Sequence, residues 1–281
     1  MTGGGTLFVV ATPIGNLGDI TLRALETLGA VPLIAAEDTR LTRRLLDRHG
    51  IDVPLTSFHA KSEPRRMEAL LEHLRGGADL ALVSDAGTPV VSDPGGELVA
   101  AWAGEGGTVV ALPGPSAVLT AVAVSGVAGP HWTFEGFLPR SGRERRERVA
   151  RIGADERGAI VFEAPNRVAG TLRDLAAACG DDRPGAVCRE LTKLHEEVRR
   201  DTLPALARDY AQGRETRGEI VIVIAPPDES DAPPDAKELD DIILNSLQRL
   251  SLKDAVSEIA QSTGVPRREI YQRALTLTKE K

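Results

Sequence analysis

The sequence contains few cysteines, few aromatic residues and no long apolar run, and each shortage excludes a class of protein. Its 281 residues include two cysteines, too few for a disulfide framework, so a reducing cytoplasm is the expected compartment. Aromatic residues make up 3% of the chain, and we therefore expect an aliphatic core. No apolar stretch reaches the roughly 18 residues of a membrane-spanning helix. The first ten residues lack the basic start and the apolar stretch of a signal peptide.

Common nucleotide-binding and metal-binding motifs are also missing. The chain has no Walker A loop, and the turn after its first aliphatic run holds Gly15 and Gly18, where G-x-G-x-x-G needs three glycines. Neither the Cys and His spacing of a zinc site nor an EF-hand loop occurs, so no metal is expected. The net charge of −7 argues against a general nucleic-acid coat protein, which is usually basic.

Aliphatic runs alternate with amphipathic helical patterns along most of the chain. The runs are nearly continuous, which is typical of strands covered on both faces. This alternation predicts an α/β fold in layers with mainly parallel strand pairing. The predicted strands are Leu7–Ala11, Leu33–Ala36, Leu80–Val83, Val109–Leu112, Ile160–Phe162 and Ile220–Ala225.

Changes in composition divide the chain into four predicted parts. A first αβ domain, residues 1–129, carries the Gly- and Pro-rich turns, and a second αβ domain covers residues 130–226. The acidic, proline-rich stretch 227–236 is typical of a linker. Residues 237–281 contain three short helical patterns with helix-turn-helix spacing, although a capping bundle without nucleic-acid contact fits them equally well.

Three Gly- and Pro-rich turns follow predicted strands of the first domain, in the segments ATPIGNLGD, VSDAGTPVVSDPGG and LPGPSA. Ligands of α/β proteins bind at the carboxyl ends of the strands. Glycines permit backbone conformations closed to other residues, and prolines stiffen the path, so such turns can present peptide groups to a ligand. We predict a pocket for a ligand with polar edges and a positive centre, with Asp85 and Asp93 offsetting the cationic charge. An ordinary tight connection is the alternative for the first turn.

Seven motifs in a fixed order resemble the tetrapyrrole (corrin/porphyrin) methylase family, and within it the group that methylates ribosomal RNA of the small subunit. They are TPIGNLGDITLRAL, IAAEDTR, LVSDAGTPVVSDPG, LPGPSA, EGFLPR, RELTKLHEE and RGEIVIVI. They extend from Thr12 to Ile224, and the C-terminal helices resemble the small last domain of that group. One departure is at residues 162–167, where the family's Tyr-Glu-Ser-Pro-His-Arg is Phe-Glu-Ala-Pro-Asn-Arg.

The resemblance implies two αβ domains with S-adenosylmethionine (AdoMet) in the cleft between them. It implies methyl transfer to the ribose 2′-oxygen of a decoding-region cytidine in the 16S rRNA of the small ribosomal subunit, and a homodimer. Together with the composition of the turns, it predicts a set of cofactor-binding positions. These are Pro13, Asp85, Ala86, Gly87, Thr88, Val91, Ser116, Ala117, Phe162, Glu163, Leu191 and Gly218.

The chemistry of such a transfer directs attention to carboxylates near the predicted pocket. A sulfonium donor is already activated, so the main requirement is placement of the nucleophile. A base at the ribose hydroxyl adds about 10²–10⁴-fold. We expect one carboxylate among Asp19, Glu37 and Asp38 to orient or deprotonate the hydroxyl, and Arg40 to hold a phosphate. The alternative is that Asp19 caps a helix and that Glu37–Arg40 form an ordinary ion pair.

Basic residues mark the expected contact with RNA. The segment 140–151 holds six arginines against two glutamates, which predicts either contacts to RNA phosphates or a solvated basic helix. The candidate RNA contacts are Arg140, Arg143, Arg145, Arg146 and His59. Two other functions stay open: C-methylation of a tetrapyrrole, and a non-catalytic AdoMet-binding factor for ribosome assembly. The arginine clusters and the C-terminal helices favour RNA.

Overall fold

The structure is a computed structural model that describes residues 3–59, 64–213, 217–228, 236–263 and 265–279. It divides into two compact units, Met1–Ala225 and Pro226–Lys281. Most of the predicted linker, residues 229–235, lies outside the described residues, so its character stays a prediction.

The first half of the larger unit is a sheet of five strands with helices on both faces. The strands are β1 (Thr6–Val10), β2 (Leu33–Ala36), β3 (Leu55–Ser57), β4 (Leu80–Val83) and β5 (Thr108–Leu112). The helices are α1 (Leu22–Ala30), α2 (Thr39–Arg48), α3 (Pro64–Arg75), α4 (Gly96–Gly104) and α5 (Ala117–Ser125). The strand order is β3-β2-β4-β1-β5, and all four pairings are parallel, as predicted.

Both faces of this sheet are buried, which explains its continuous aliphatic strands. On one face Leu28 of α1 and Leu46 of α2 pack against the strands, and on the other Leu74 of α3 and Trp102 of α4 do so. All four residues of β4 are buried. Because parallel strands point the same way, the turns after β1, β2, β4 and β5 leave the sheet at one edge.

The second half of the larger unit is a mixed sheet, in contrast to the all-parallel first sheet. Its strands are β6 (Trp132–Phe137), β7 (Gly158–Glu163), β8 (Pro184–Arg189), β9 (Glu197–Thr202) and β10 (Ile220–Ile224). Its helices are α6 (Gly142–Ala154), α7 (Val168–Cys179) and α8 (Leu203–Ala211). In the order β6-β7-β10-β8-β9, only β6 and β7 are parallel. The reason is that β10 lies between β7 and β8, antiparallel to both.

Helix α5 joins the two sheets. It follows the last strand of the first sheet, yet Val118 and Ala121 pack in one apolar cluster with strands of the second sheet. Ile14, from the turn after β1, belongs to the same cluster. The opposite face of the second sheet packs against α6, α7 and α8 in a separate cluster. One apolar cluster therefore includes residues from both sides of the predicted 129/130 boundary.

The smaller unit consists of three helices, α9 (Ala236–Leu247), α10 (Leu252–Thr263) and α11 (Arg267–Lys279). Ile243, Ile259 and Ile270, one from each helix, are buried together. The Arg273 guanidinium donates two hydrogen bonds, of 2.6 and 2.8 Å, to the Asp240 carboxylate and so ties α11 to α9. None of the helices in the described parts of the chain is both long and apolar enough to cross a membrane.

Candidate functional site

Hydrogen bonds connect the turns that follow β1, β4 and β5. Thr12 and Gly87 exchange backbone hydrogen bonds of 2.8 and 3.0 Å, and the Thr12 hydroxyl donates to the Ser84 carbonyl at 3.1 Å. The Thr88 hydroxyl donates to the Pro115 carbonyl at 3.2 Å. The three turns predicted to form a pocket are therefore adjacent to one another at one edge of the first sheet.

The turn after β4 contains a cluster of left-handed backbone conformations. Gly87 has φ +84°, and a Cβ added there would lie 3.3 Å from Ile14 Cγ2. Val90 and Ser92 have φ +76° and +64°, in a region that β-branched and other non-glycine residues rarely adopt. Such conformations persist only where surrounding structure holds them, and they concentrate at ligand-binding sites.

A cleft of about 380 Å³ opens between these turns and the second sheet. Its volume lies within the range of pockets for small-molecule cofactors. Nine of the twelve predicted cofactor positions line it: Ala86, Gly87, Thr88, Val91, Ser116, Ala117, Phe162, Glu163 and Gly218. Other lining residues were not predicted as cofactor positions, among them Ile14, Ser92, Phe137, Pro165 and Glu219. Asp93, which the sequence analysis predicts to offset the charge of the ligand, also lines the cleft. Phe137 and Glu219 lie in the motifs EGFLPR and RGEIVIVI, which could have pointed to them.

Three predicted cofactor positions do not line this cleft. Pro13 is buried and Asp85 is exposed, and both face a second cavity on the other side of the turn after β1. Leu191 is 6% exposed and packs in the apolar cluster shared by α5 and the second sheet. Leu191 therefore packs behind the cleft and does not line it.

Phe162 and Glu163 close the cleft from the second sheet. The Phe162 ring packs edge-on against Phe134 and Phe137, with centroids 4.9 and 5.6 Å away. The Glu163 carboxylate is fully buried and pairs with Arg167 Nε at 3.2 Å. It accepts hydrogen bonds from the Ala164 N–H and the Thr171 hydroxyl. Glu163 therefore fixes the turn at residues 164–167, the stretch where the sequence departs from its family.

Position 218 requires glycine because the Glu190 side chain lies directly against its backbone. Its φ is +88°, and a Cβ there would collide with the Glu190 carboxylate. That carboxylate accepts a hydrogen bond from the Glu219 N–H at 2.9 Å and pairs with Lys193 Nζ at 2.8 Å. The hydrogen bond from Lys193 is the main reason that the pKa of Glu190 is lowered.

Carboxylates from two turns, those after β2 and β4, meet beside the cleft. The Asp85 N–H donates to Glu37 Oε2 at 3.5 Å, and the Asp38 N–H donates to Asp85 Oδ1 at 2.8 Å. Burial raises the pKa of Glu37, and the negative charges of Asp85 and Asp93 raise it further, while the Asp85 N–H and His59 act in the opposite direction. Burial also raises the pKa of Asp93. Glu37 thus combines a partly buried position with a raised pKa, as expected of a general base.

Asp38 and Arg40 form the ion pair that the sequence left open as an alternative. Asp38 caps α2 by accepting the Arg40 N–H at 2.8 Å, and its Oδ2 lies 2.7 Å from the Arg40 guanidinium. The hydrogen bond from the Arg40 side chain lowers the pKa of Asp38 to about 2. Asp38 is therefore a weak base, whereas Arg40 keeps a side chain that is 89% exposed.

Asp19 lies apart from the other carboxylates. It ends a short 3-10 turn, Leu17–Asp19, and is exposed beside Thr21 and Pro115. The alternative in which Asp19 caps a helix is wrong, because Thr21 caps α1 and accepts the Ala24 N–H at 3.1 Å. Asp19 and Glu37 are on different turns, and no interaction links their side chains in the described structure.

The basic segment 140–151 forms the turn before α6 and most of that helix, and four of its arginines divide into two sets. Arg140, Arg143 and Arg146 are exposed, with Arg143 paired to Glu147 at 2.6 Å. Arg145 is 11% exposed and bonds to Asp174, Thr171 and the Pro139 carbonyl. Arg145 therefore holds α6 to α7, and we remove it from the expected RNA contacts.

His59 is exposed at the end of β3, near Glu37. Within the described residues, no group of three or more His, Cys, Asp or Glu side chains is arranged to hold a metal ion.

The two sheets and the cleft between them define a class of protein. Residues 6–207 match the family model of Tetrapyrrole (Corrin/Porphyrin) Methylases, and residues 233–278 match that of the RsmI C-terminal HTH domain. Among solved structures, diphthine synthase is similar with a TM-score of 0.60 and 14% identity, covering 78% of this chain and 89% of that one. Cobalt precorrin-4 methyltransferase is similar with a TM-score of 0.59 and 15% identity, covering 78% of this chain and 94% of that one. At such identities the likeness shows the fold.

Relatives of much higher identity define the group within that class. "Ribosomal RNA small subunit methyltransferase I" of Mesorhizobium japonicum is 44% identical over 272 residues, covering 96% of this chain and 92% of the relative. The protein of that name from Synechocystis is 43% identical over 275 residues, covering 97% of this chain and 98% of the relative. The chain belongs to the ribosomal RNA small subunit methyltransferase I family of the tetrapyrrole methylases. The predicted family and fold class are confirmed.

Proposed function

We propose that this protein transfers a methyl group from AdoMet to 16S rRNA of the small ribosomal subunit, at the ribose 2′-oxygen of a decoding-centre cytidine. The observation that carries this proposal is full-length identity of 43–44% to two proteins named as small-subunit rRNA methyltransferases. The structure adds a cleft of suitable volume beside a carboxylate with a raised pKa.

The residues of the cleft fit AdoMet. Phe137 and Phe162 offer ring faces or edges to an adenine or to a sulfonium, and Asp93 and Glu219 supply negative charge that favours the cation. The turn at residues 86–88 presents backbone groups with only small side chains around them. A uroporphyrin-III C-methyltransferase of Thermus thermophilus, similar with a TM-score of 0.56, was solved with S-adenosylhomocysteine, which supports this assignment. When bound, AdoMet supplies an activated methyl group.

The carboxylates beside the cleft receive distinct roles in this proposal. Glu37 accepts the proton of the ribose hydroxyl, because its raised pKa brings it closer to neutral pH than an ordinary carboxylate. The Asp85 N–H orients Glu37. Asp38 positions Arg40 at the start of α2, and the exposed part of the Arg40 guanidinium contacts an RNA phosphate.

The exposed arginines 140, 143 and 146 form the proposed RNA surface, and a matched set of variants tests it. We expect Arg143→Gln and Arg146→Gln each to reduce the slope of log K against log salt by about one. Filter binding to 30S subunits at several salt concentrations measures this. Arg145→Gln is the control: it should leave the slope unchanged but lower the free energy of unfolding by about 1–3 kcal/mol, since it breaks charged hydrogen bonds inside the protein. If both surface variants keep the salt slope of the parent, these arginines do not contact RNA phosphates.

One assay tests the proposed function against its alternatives. Tritiated methyl transfer from AdoMet is measured to 30S subunits lacking this modification, to naked 16S rRNA and to uroporphyrinogen III. We expect label only in the ribosomal substrates, and nuclease digestion should yield 2′-O-methylcytidine. Label in uroporphyrinogen would make the chain a tetrapyrrole enzyme. AdoMet binding by calorimetry without transfer to any substrate would make it a non-catalytic factor.

We further propose a homodimer in the cytoplasm, on the strength of the family resemblance. Leu22, Leu119 and Leu194 are 79%, 58% and 92% exposed, and such apolar side chains suit a subunit interface. Sedimentation equilibrium of the full chain is expected to give twice the mass of the chain; the mass of a single chain at micromolar concentration would count against the dimer.

A further inference from the structure

A second cavity lies next to the cleft. It encloses about 370 Å³ between the turn after β1, the turn after β4 and the first half of α2. Its lining includes Pro13, Leu17, Leu41, Arg44, Ser84 and Asp85. AdoMet is proposed for the cleft, and this second cavity has no ligand assigned to it.

The two cavities share a wall. Thr12 lines the second cavity, and its backbone pairs with Gly87, which lines the cleft. Asp85 faces the second cavity, and the next residue, Ala86, faces the cleft. A ligand in one cavity is thus separated from a ligand in the other by a single strand-end turn. Glu37, the proposed base, lies at this boundary, because it accepts the Asp85 N–H.

The second cavity has partly apolar walls. Leu17 and Leu41 are 40% and 44% exposed, which leaves apolar surface open to a flat ring. Ser84 is only 2% exposed, and its side chain hydrogen-bonds to Asp93, which lowers the pKa of that carboxyl against the larger effect of burial. The Ser84 hydroxyl is therefore part of the wall of the cavity and is not counted among the groups that bind a ligand.

Charged groups of both signs stand at the same cavity. Asp85 Oδ1 accepts the Asp38 N–H at 2.8 Å, and Oδ2 accepts no bond from the residues described. Arg44 is exposed on α2 and forms no hydrogen bond or ion pair within the described parts of the chain. The cavity therefore offers one acceptor and several donors around an apolar slot.

We propose that this second cavity binds the base of the acceptor nucleotide after it has left the RNA stack, an inference that rests on the proposed function. Enzymes that modify a nucleotide read an extruded base by its hydrogen-bonding edge and hold it between apolar side chains. Cytosine has an exocyclic amino group that can donate a hydrogen bond to a carboxylate. It also has acceptor atoms that can receive hydrogen bonds from a guanidinium. Asp85 takes the amino group, Arg44 donates to the ring acceptors, and Leu17 and Leu41 contact the ring.

The sharpest test changes the base that is read. In Asp85→Asn the amide oxygen still accepts the Asp38 N–H, and the amide NH₂ suits uracil O4 where the carboxylate suits the cytosine amino group. kcat/KM is measured on 30S subunits whose acceptor nucleotide is cytidine or uridine. We expect the preference for cytidine to fall by about tenfold or more, the value of one good base contact. An unchanged preference would overturn the assignment of Asp85.

A second pair of variants tests Arg44 with a matched control on the same helix. Arg48, one turn further along α2, is exposed and does not line the cavity. We expect Arg44→Gln to lower kcat/KM on 30S subunits by about tenfold or more, because charged hydrogen bonds to the acceptor are lost. Arg48→Gln should remain within twofold of the parent. Equal values for the two variants would overturn the pocket.

Calorimetry with AdoMet and the parental activity separate failure of this inference from failure of the proposed function. Both Asp85→Asn and Arg44→Gln should bind AdoMet within twofold of the parent, since the cleft is intact. Loss of AdoMet binding in both would assign these residues to the cofactor and overturn the base pocket. If the parent itself does not methylate 30S subunits, the proposed function fails, and the base pocket fails with it. If the parent methylates and the variants match it, the pocket alone fails.

Discussion

Replacing Glu37 by glutamine is expected to lower the rate of methyl transfer by about 10²–10⁴-fold, the usual contribution of a positioned general base. Glutamine keeps the size of the side chain and still accepts the Asp85 N–H, but it cannot take the ribose proton. AdoMet affinity should remain within twofold, because Glu37 does not line the cleft. Single-turnover transfer to 30S subunits and calorimetry with AdoMet measure the two quantities.

The pH dependence of the same reaction provides a second measurement. The base must be deprotonated to accept a proton, so the rate should rise with pH through the pKa of Glu37 and then level off. Burial, Asp85 and Asp93 raise that pKa above the ordinary value of 4.5, so the rise should occur at higher pH than for an exposed glutamate. In Glu37→Gln this limb of the profile should disappear.

Two further variants sharpen the test of Glu37. Glu37→Asp keeps a base on a shorter side chain and should retain more activity than the glutamine variant. Glu72→Gln removes an exposed glutamate of α3, away from both cavities, and should match the parent. A glutamine variant at position 37 with turnover within threefold of the parent and an unchanged pH profile would exclude Glu37 as the base.

Replacing Gly87 by valine is expected to weaken AdoMet binding by roughly 30-fold or more, which corresponds to about 2 kcal/mol. The left-handed φ of +84° is costly for a β-branched side chain, and its Cβ would lie 3.3 Å from Ile14 Cγ2. Relief of this contact requires a shift of the turn, which the backbone bonds to Thr12 oppose. Calorimetry with AdoMet measures the loss directly.

Gly106→Val separates the effect on the cleft from the cost of the backbone conformation. Gly106 has φ +79°, and a Cβ there meets no atom within 4 Å. We expect this variant to lose stability in denaturant unfolding while it binds AdoMet like the parent. If both valine variants bind AdoMet equally well, the turn at Gly87 does not shape the cofactor site.

Sequence periodicity predicted most of the strands that are buried on both faces, but it missed β8, Pro184–Arg189, an inner strand whose four middle residues are buried. The runs at Leu80–Val83 and Ile220–Ala225 correspond to β4 and β10, which are buried along their whole length. Strand β9, Glu197–Thr202, was missed because it lies at a sheet edge and its sequence, EVRRDT, is mostly charged. Strand β3 was missed because it has only three residues. Edge and short strands leave little hydrophobic signal.

The parts of the candidate site that the backbone forms could be predicted from the sequence. The side-chain positions that depend on packing between elements were harder to predict. Gly87 and Gly95, in the turn after β4, adopt the left-handed conformations that their glycines suggested. In contrast, Arg145, Arg143 and Arg146 are all arginines of the same basic segment, and only its position on α6 directs Arg145 toward Asp174. The second cavity draws Ser84 and Asp85 from one motif, but Arg44 lies outside all of the motifs, so the sequence alone does not bring these residues together.

The packing of α5 has a practical consequence for dissecting this protein. By sequence the helix ends the first half, and a cut at residue 129 looks natural for an expression fragment. By packing, Val118 and Ala121 are covered by strands of the second half. A fragment that stops at residue 129 would therefore display an apolar helix face to solvent and would favour aggregation. Residues 1–225 form a compact unit that keeps this helix with both sheets, and truncation studies should begin there.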